Sequence, residues 1–153
     1  CFPAGTKVTT DQGDIEIEML NKDVNTIKGK RIVDITETSP IFENLICFEK
    51  DSLGDNIPSM KTEMTPDHHV LYKGIFMKAA EVAEICENVN PIPFFQEKLY
   101  NVLMEKHDTM MVNNMRCETL NPDNILVYIT SSDKYDIPTK QQLLHDYNTL
   151  LMA

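Results

Sequence analysis

The sequence predicts a mainly β fold, with one domain over residues 1–120 and a short strand–helix extension over residues 121–153. Three observations support this prediction. Apolar and polar residues alternate with the two-residue period of half-buried strands, turn residues interrupt the alternation at short intervals, and the connections are too short for helical crossovers. A chain of 153 residues is also long enough to bury one sizeable core.

The individual strands follow from this alternation, taken in chain order. The pattern predicts strands over residues 6–10, 14–19, 31–36, 42–48, 68–72, 75–77, 98–105 and 109–116. Residues 51–59 contain Gly, Asp, Asn and Pro, which predicts a loop. Residues 78–86 are rich in Ala and Glu, which predicts a short helix that ends before the helix-breaking stretch at 88–93.

The end of the chain differs in character from the predicted β domain. Residues 125–129 are apolar enough to extend the sheet. Residues 138–151 are predicted to form a helix, because Pro138 suits a first helical turn and the apolar residues after it fall on one stripe. We expect this helix to pack on the β domain or to link it to another domain.

The composition excludes several classes of partner. The net charge is −10 and the basic residues form no stripe, so we expect no nucleic-acid partner, because neutralising phosphates requires clustered Lys and Arg. No apolar run approaches the roughly 20 residues of a membrane span, and the start shows no signal-peptide pattern. We therefore expect no membrane partner, and we expect a monomer.

The cysteine pattern bears on metals and on the compartment. The four cysteines are widely spaced and form no CxxC pair, which matches no zinc motif, and we expect neither a metal nor a cofactor. Nothing in the pattern demands disulfides, so the default expectation is a reducing, intracellular compartment such as the cytoplasm. Because the chain begins with Cys and lacks an initiator Met, we expect a fragment or the C-terminal product of a larger precursor.

Three separated segments concentrate reactive side chains. Cys1 precedes a tight Pro–Gly turn and a strand, which places its thiol on a constrained corner where a nucleophile can be held against a strained peptide bond. In Thr65-Pro66-Asp67-His68, a proline-containing turn can aim a hydroxyl and an imidazole at one point. The third segment, residues 100–114, carries His107 in a Lys-His-Asp turn. Taken singly, these residues also fit a buried thiol, polar groups at a strand edge and an ordinary turn residue.

In this order, the three segments resemble the sequence blocks of the Hint superfamily, the module shared by inteins and hedgehog autoprocessing domains. CFPAGTKV resembles the opening block, TPDH fits the TxxH block, and residues 100–114 are similar to the penultimate hairpin. The resemblance covers residues 1 to about 120 and implies a horseshoe-shaped β fold with internal pseudo-twofold symmetry. Residues 8–15 and 70–76 show a faint repeat of strand, Gly turn and returning strand, which two generic hairpins would also show.

The resemblance also implies a reaction, an N–S acyl shift at Cys1. The thiolate attacks the carbonyl of the residue before it and converts the amide into a thioester, so the partner is the chain's own upstream polypeptide in cis. Water, a thiol or an amine then resolves the thioester. No cofactor takes part. The fold has to distort the amide, stabilise the oxyanion and protonate the leaving nitrogen.

By match to the family pattern, four further residues receive roles. His68 is expected to act as general acid at the scissile nitrogen, and Thr65 is expected to help hold the strained peptide. His107 matches the second intein histidine, which assists proton transfer. Glu49 falls near the place where hedgehog domains carry an Asp that activates the second nucleophile.

Departures from the family pattern limit the predicted outcome. Splicing inteins end in His-Asn, where Asn cyclisation releases the C-terminal side, but Glu118 and Thr119 stand at those positions here. Asn101 stands where many inteins have Asp after the Tyr. We therefore predict autoproteolysis without splicing. The main alternative is a Hint-like scaffold that has lost cleavage and serves as a binding module; a Cys–His hydrolase acting on other proteins is less favoured, because such an enzyme does not need a terminal nucleophile.

Overall fold

The computed structural model describes residues 1–39, 44–95 and 97–122, together with residues 138, 139, 141, 142 and 145. The chain is mostly β, with a curled half-barrel sheet, which confirms the predicted fold class. The five described residues of the C-terminal segment are helical. The predicted strand at 125–129 and the rest of the helix predicted at 138–151 lie outside the described residues.

Thirteen strands and two helices form within the three long described stretches. The strands of the first half are β1 (Phe2–Pro3), β2 (Lys7–Thr10), β3 (Gly13–Glu16), β4 (Thr26–Ile27), β5 (Lys30–Thr38), β6 (Asn44–Phe48) and β7 (Thr62–Met64). Those of the second half are β8 (His69–Tyr72), β9 (Ile75–Lys78), β10 (Val89–Pro93), β11 (Leu99–Met104), β12 (Thr109–Val112) and β13 (Met115–Glu118). The helices are a 3-10 turn, Ile17–Met19, and α1, Ala79–Ile85, which confirms the predicted helix to within one residue at each end. Neither of these helices is long and apolar enough to cross a membrane.

The strands form three antiparallel sheets. The largest has the order β3-β2-β12-β13-β8-β9, so the hairpins β2–β3 and β8–β9 lie at its two opposite edges. These two hairpins contain the faint sequence repeat, and their mirrored positions agree with an internal twofold arrangement. A second sheet has the order β1-β11-β5-β4 and a third the order β10-β6-β7.

One large hydrophobic core lies between the sheets, with a small cluster beside it. The large core contains fully buried side chains from both halves of the chain, among them Phe2, Val8, Phe48, Met64, Val70 and Val102. The small cluster consists of Leu45, Phe94 and Leu99, and Cys1 and Ile92 pack against it. Phe2 therefore anchors the first residues of the chain in the large core, while Cys1 contacts the small cluster.

Two predicted strands are wrong in extent. The strand predicted over 14–19 ends at Glu16, because the backbone N–H of Ile17 donates to Thr6 O (2.8 Å) and the chain turns to bury Ile17 in the core. The strand predicted over 109–116 is a hairpin, β12–β13. Its turn residues Asn113 and Asn114 have φ angles of 45° and 65°, the left-handed conformation that two-residue hairpin turns require.

Four short strands were not predicted, namely β1, β4, β7 and β10. Three of them have two or three residues, which is too short for alternation to show. The fourth, β10, contains two prolines, and these predict a break after the helix rather than a strand. It is an edge strand of the three-stranded sheet, a position that tolerates proline because one side of the strand forms no ladder hydrogen bonds.

Candidate active site

Two strands and a turn hold the main chain at Cys1. The residue immediately precedes β1, which pairs with β11 through Phe2↔Tyr100 and Pro3↔Leu99. The carbonyl oxygen of Cys1 accepts a hydrogen bond from the backbone N–H of Thr65 at 3.0 Å. The backbone of Cys1 is therefore fixed on both sides, by a strand pair that follows it and by a direct bond to the turn after β7.

The turn that contains Thr65 and His68 is itself anchored. The N–H of His68 donates to Thr65 O (3.1 Å), and the His68 carbonyl accepts from the N–H of Ala79 at the start of α1 (2.8 Å). A further bond joins the N–H of Ala80 to Pro66 O (2.9 Å). The side chains of Thr65 and His68 are both buried, so the turn presents a hydroxyl and an imidazole from a rigid backbone.

These two side chains converge on a single atom, the α-nitrogen of Cys1. The nitrogen lies 3.0 Å from Thr65 Oγ1 and 2.9 Å from His68 Nδ1. In the structure this atom is an amine. In a precursor extended before Cys1, it would be the nitrogen of the peptide bond that joins the upstream polypeptide to the domain.

The partners of His68 assign its tautomer. Its Nε2 lies 3.0 Å from the main-chain carbonyl of Glu118. A carbonyl only accepts hydrogen bonds, so Nε2 carries the hydrogen, and Nδ1 of the neutral ring has a free lone pair toward Cys1. The ring of Phe2 contacts the imidazole edge-on, with ring centroids 4.5 Å apart, and restricts its rotation.

Burial keeps this cluster uncharged. Removal from water lowers the pKa of the Cys1 α-amine from 8.0 to about 5, although Asp67 and other nearby acidic groups act in the opposite direction. Burial likewise lowers the pKa of His68 well below 6.5, and the neighbouring amine adds to the effect. At neutral pH both groups are therefore neutral, and His68 Nδ1 is an acceptor.

The thiol side of Cys1 has a different surrounding. Cys1 is half-buried and packs against Leu45, Phe94 and Leu99 of the small cluster. The polar contacts described above are on its nitrogen and its carbonyl. Another thiol, that of Cys117, is fully buried in the large core, and burial raises its pKa far above the usual range.

His107 reaches this region through an intermediate residue. Its Nε2 lies 3.0 Å from Oε2 of Glu118, and the other carboxylate oxygen of Glu118 lies 2.9 Å from Nδ1 of His69. Among the described hydrogen bonds, none joins His107 to Cys1, Thr65 or His68. The predicted role of His107 in proton transfer stays a prediction. The contacts of Glu118 with His69 and His107 are not predictable from the family pattern, in which residue 118 stands only as a replacement for His.

The described contacts of Glu49 involve none of Cys1, Thr65 and His68. It is exposed, its N–H donates to Asn88 O (3.1 Å), and its Oε1 lies 3.8 Å from Cys47 Sγ. Burial, helped by the Glu49 charge, raises the pKa of the Cys47 thiol to about 11. No described contact joins Glu49 to Cys1, and its role in activating a second nucleophile stays a prediction.

The residues that depart from the splicing pattern have structural partners. Thr119 is buried, and its Oγ1 accepts from Asp108 N (2.9 Å) and donates to Asp108 O (3.1 Å). Asn101 is also buried, and its Oδ1 accepts from the next backbone N–H, that of Val102 (2.9 Å).

Within the described part of the chain, no three His, Cys, Asp or Glu residues are arranged to hold a metal ion.

Comparison with known proteins identifies the family of this fold and site. A family model described as Hint domain matches residues 1–124, which includes Cys1, the Thr65–His68 turn and the β12–β13 hairpin. No curated protein matched the chain.

Proposed function

Since the chain belongs to the Hint domain family, whose members are in general autoprocessing domains, we propose that it cleaves the peptide bond before Cys1 by an N–S acyl shift. One observation carries the proposal. Thr65 Oγ1 and His68 Nδ1 both lie at hydrogen-bond distance from the Cys1 nitrogen, the atom that must leave when that bond breaks. A structural turn alone has no need to place two buried polar side chains on a chain nitrogen.

The neutral state of His68 determines the order of proton transfers. A neutral ring with Nε2–H cannot donate from Nδ1, so His68 first takes up a proton, which the Cys1 thiol supplies. The resulting thiolate attacks the carbonyl carbon of the preceding residue and forms a tetrahedral oxyanion. The lowered pKa of His68, caused mainly by burial, makes its protonated form a stronger acid than an ordinary imidazolium, which suits the step that follows.

Collapse of the tetrahedral species completes the shift. The carbon–nitrogen bond breaks, and Nδ1 of His68 returns its proton to the Cys1 nitrogen as general acid. The acyl group is then held as a thioester on Sγ, and both His68 and the new amine are neutral. Thr65 holds the nitrogen during the exchange through its hydroxyl, which is 3.0 Å away. Water, a thiol or an amine then attacks the thioester and releases the upstream polypeptide.

The C-terminal side remains attached in this proposal. Glu118 and Thr119 have no side-chain amide, so neither forms the succinimide that releases the C-terminal flank in splicing. The bonds between Thr119 and Asp108 support this proposal, since they give the residue at the Asn position a part in closing the β11–β12 connection.

A fusion with a foreign folded domain before Cys1 tests the proposal. We expect release of that domain, accelerated by dithiothreitol or hydroxylamine, and a C-terminal product whose mass begins at Cys1. Cys1→Ala abolishes the release, whereas Cys86→Ala, which removes a half-buried thiol at the end of α1, leaves it intact. A folded fusion that stays whole under added thiol would show that the domain is a Hint scaffold without cleavage activity.

A further inference from the structure

Glu118 links three histidines, which points to a role beyond the hairpin end that it occupies. We propose that Glu118 is a positioning residue for His68: its carboxylate, held between His69 and His107, fixes in place the main-chain carbonyl that keeps His68 in its Nε2–H tautomer. The kinetic part of this proposal rests on the proposed cleavage reaction, and the tautomer part does not.

The side chain of Glu118 ties together three segments. Oε1 accepts from the backbone N–H of His69 (3.3 Å) and lies 2.9 Å from its Nδ1, at the first residue of β8. Oε2 lies 3.0 Å from Nε2 of His107, in the connection between β11 and β12. With 24% of the side chain exposed, the carboxylate is largely shielded from water, so its hydrogen bonds are less weakened by solvent than those of surface pairs.

The Glu118 carboxylate and its partners His69 and His107, here called the clamp, lie where few backbone pairs join β13 to β8. The pairing of β13 with β8 has one registered pair, Cys117↔Val70. The residues next to that pair are Glu118 and His69, and there the carboxylate of Glu118 takes the N–H of His69 in place of a ladder carbonyl. The position of residue 118 relative to the Thr65–His68 turn therefore depends on its side chain as well as on the strand pairing.

The same residue holds His68 through its main chain. Its carbonyl accepts the Nε2–H of His68 at 3.0 Å. If this carbonyl moves away, Nε2 loses its acceptor and the ring gains access to the Nδ1–H tautomer. A ring with hydrogen on Nδ1 has no lone pair there, so it cannot take the thiol proton that the proposed reaction requires. Loss of the carboxylate clamp thus reduces the fraction of His68 in the productive tautomer.

The Glu118 carboxylate also accounts for the position of His107. In the described contacts, this residue meets the site only through Oε2 of Glu118. It therefore acts as one arm of the clamp. Removing His107 frees one carboxylate oxygen and leaves the His69 arm in place, so its effect has the same direction as removal of the carboxylate and is smaller.

Nitrogen NMR of a non-cleaving precursor tests the tautomer directly. The sample carries Cys1→Ala, a short upstream peptide and ¹⁵N-labelled histidine, and the two ring shifts of His68 are assigned. We expect a pure Nε2–H pattern with Glu118 present and averaged or exchanged shifts in Glu118→Ala. Glu105→Ala is the matched control, since it removes an exposed carboxylate from the His107 connection and should leave the pattern unchanged.

Cleavage rates of the thiol-containing fusion give the second readout. We expect Glu118→Ala to slow release about 10-fold, the scale of a small misplacement of a reacting group. His107→Ala should slow it less, and the double variant should be no slower than Glu118→Ala, since both remove one clamp. Glu118→Gln keeps an oxygen for His69 and should recover most of the lost rate.

Each result decides a separate question. If Glu118→Ala fails to fold, Glu118→Gln and His107→Ala carry both measurements, because each leaves part of the clamp in place. An unchanged Nε2–H pattern in folded Glu118→Ala, or in folded His107→Ala where Glu118→Ala does not fold, overturns the inference. If the fusion with Glu118 present does not cleave, the proposed reaction fails, and the NMR shifts still decide the positioning role.

Discussion

His68 Nδ1 lies 2.9 Å from the α-nitrogen of Cys1, and 67 positions in the chain separate the two residues. The contact is made by a neutral imidazole whose hydrogen is held on the opposite ring nitrogen by the Glu118 carbonyl. Because the acceptor lone pair and the buried nitrogen face each other, small changes at either residue should have large effects on cleavage.

Replacement of His68 should remove the proton carrier of the proposed reaction. We expect His68→Ala to slow thiol-induced release by roughly 10²-fold or more, the usual scale for losing a general acid or base. Single-turnover cleavage of the purified fusion, followed by gel densitometry, gives the rate. Glu105→Ala, which removes an exposed side chain from the connection between β11 and β12, is the control and should cleave at the normal rate. A folded His68→Ala fusion with that same normal rate would assign the turn a structural role only.

Thr65 should contribute less than His68. Its hydroxyl holds the nitrogen at 3.0 Å but exchanges no proton in the proposed steps. We therefore expect Thr65→Val, which keeps the side-chain shape, to slow cleavage by less than His68→Ala does, and Thr65→Ser to restore most of the rate. The comparison requires the three variants under one set of thiol conditions. A larger loss in Thr65→Val than in His68→Ala would reverse the assigned roles.

The buried amine should make the stability of the chain that begins at residue 1 depend on pH. In the unfolded chain the amine gains a proton as pH falls through 8.0, but in the folded chain it stays neutral down to about 5. Protonation therefore favours the unfolded state across this window, and folding stability falls between pH 8 and pH 5, by up to about 4 kcal/mol. The pKa of His68 is also lowered and adds to the loss below 6.5.

Urea unfolding at pH 5, 6.5 and 8 measures this dependence. Two Cys1→Ala chains are compared, one with a free amine and one acetylated at the same nitrogen, which converts it to the amide of a precursor. We expect the acetylated chain to lose less stability on acidification, since its amide nitrogen takes up no proton in this window. Equal losses in the two chains would show that the amine leaves its buried position before it is protonated.

The C-terminal flank should remain attached to the domain after cleavage at Cys1. A precursor extended at both ends should yield an upstream piece and a second piece that starts at Cys1 and continues into the downstream flank, because no amide side chain is available at residues 118 and 119. Intact mass spectrometry distinguishes the products. A ligated product that joins the two flanks, with the domain excised, contradicts this prediction. Asn121 is the nearest downstream Asn, but it precedes Pro122 and has no His before it. Thr119→Asn places an amide at the position of the splicing Asn, and it tests whether the amide alone restores release of the C-terminal flank.

Local sequence patterns were sufficient for much of the fold. The two-residue alternation located strands such as β2, β5 and β11 to within a few residues, because burying one face of a strand is a local property. The period did not show that Ile17 leaves the strand to enter the core. The two-residue alternation also continues across the β12–β13 hairpin without a break. Its turn is recognisable only if two consecutive Asn residues, Asn113 and Asn114, are read as a turn signal.

Residues close in the chain, or blocks in a fixed order, were enough to predict the β class, the Hint family and the turn that presents Thr65 and His68 together. That both side chains meet the Cys1 nitrogen, and that Glu118 joins His69 to His107, is visible only in the folded chain. These contacts depend on strand register. Which residues of β13 face β8 is set by long-range packing, and a shift of one residue would turn the Glu118 side chain to the other face of the sheet.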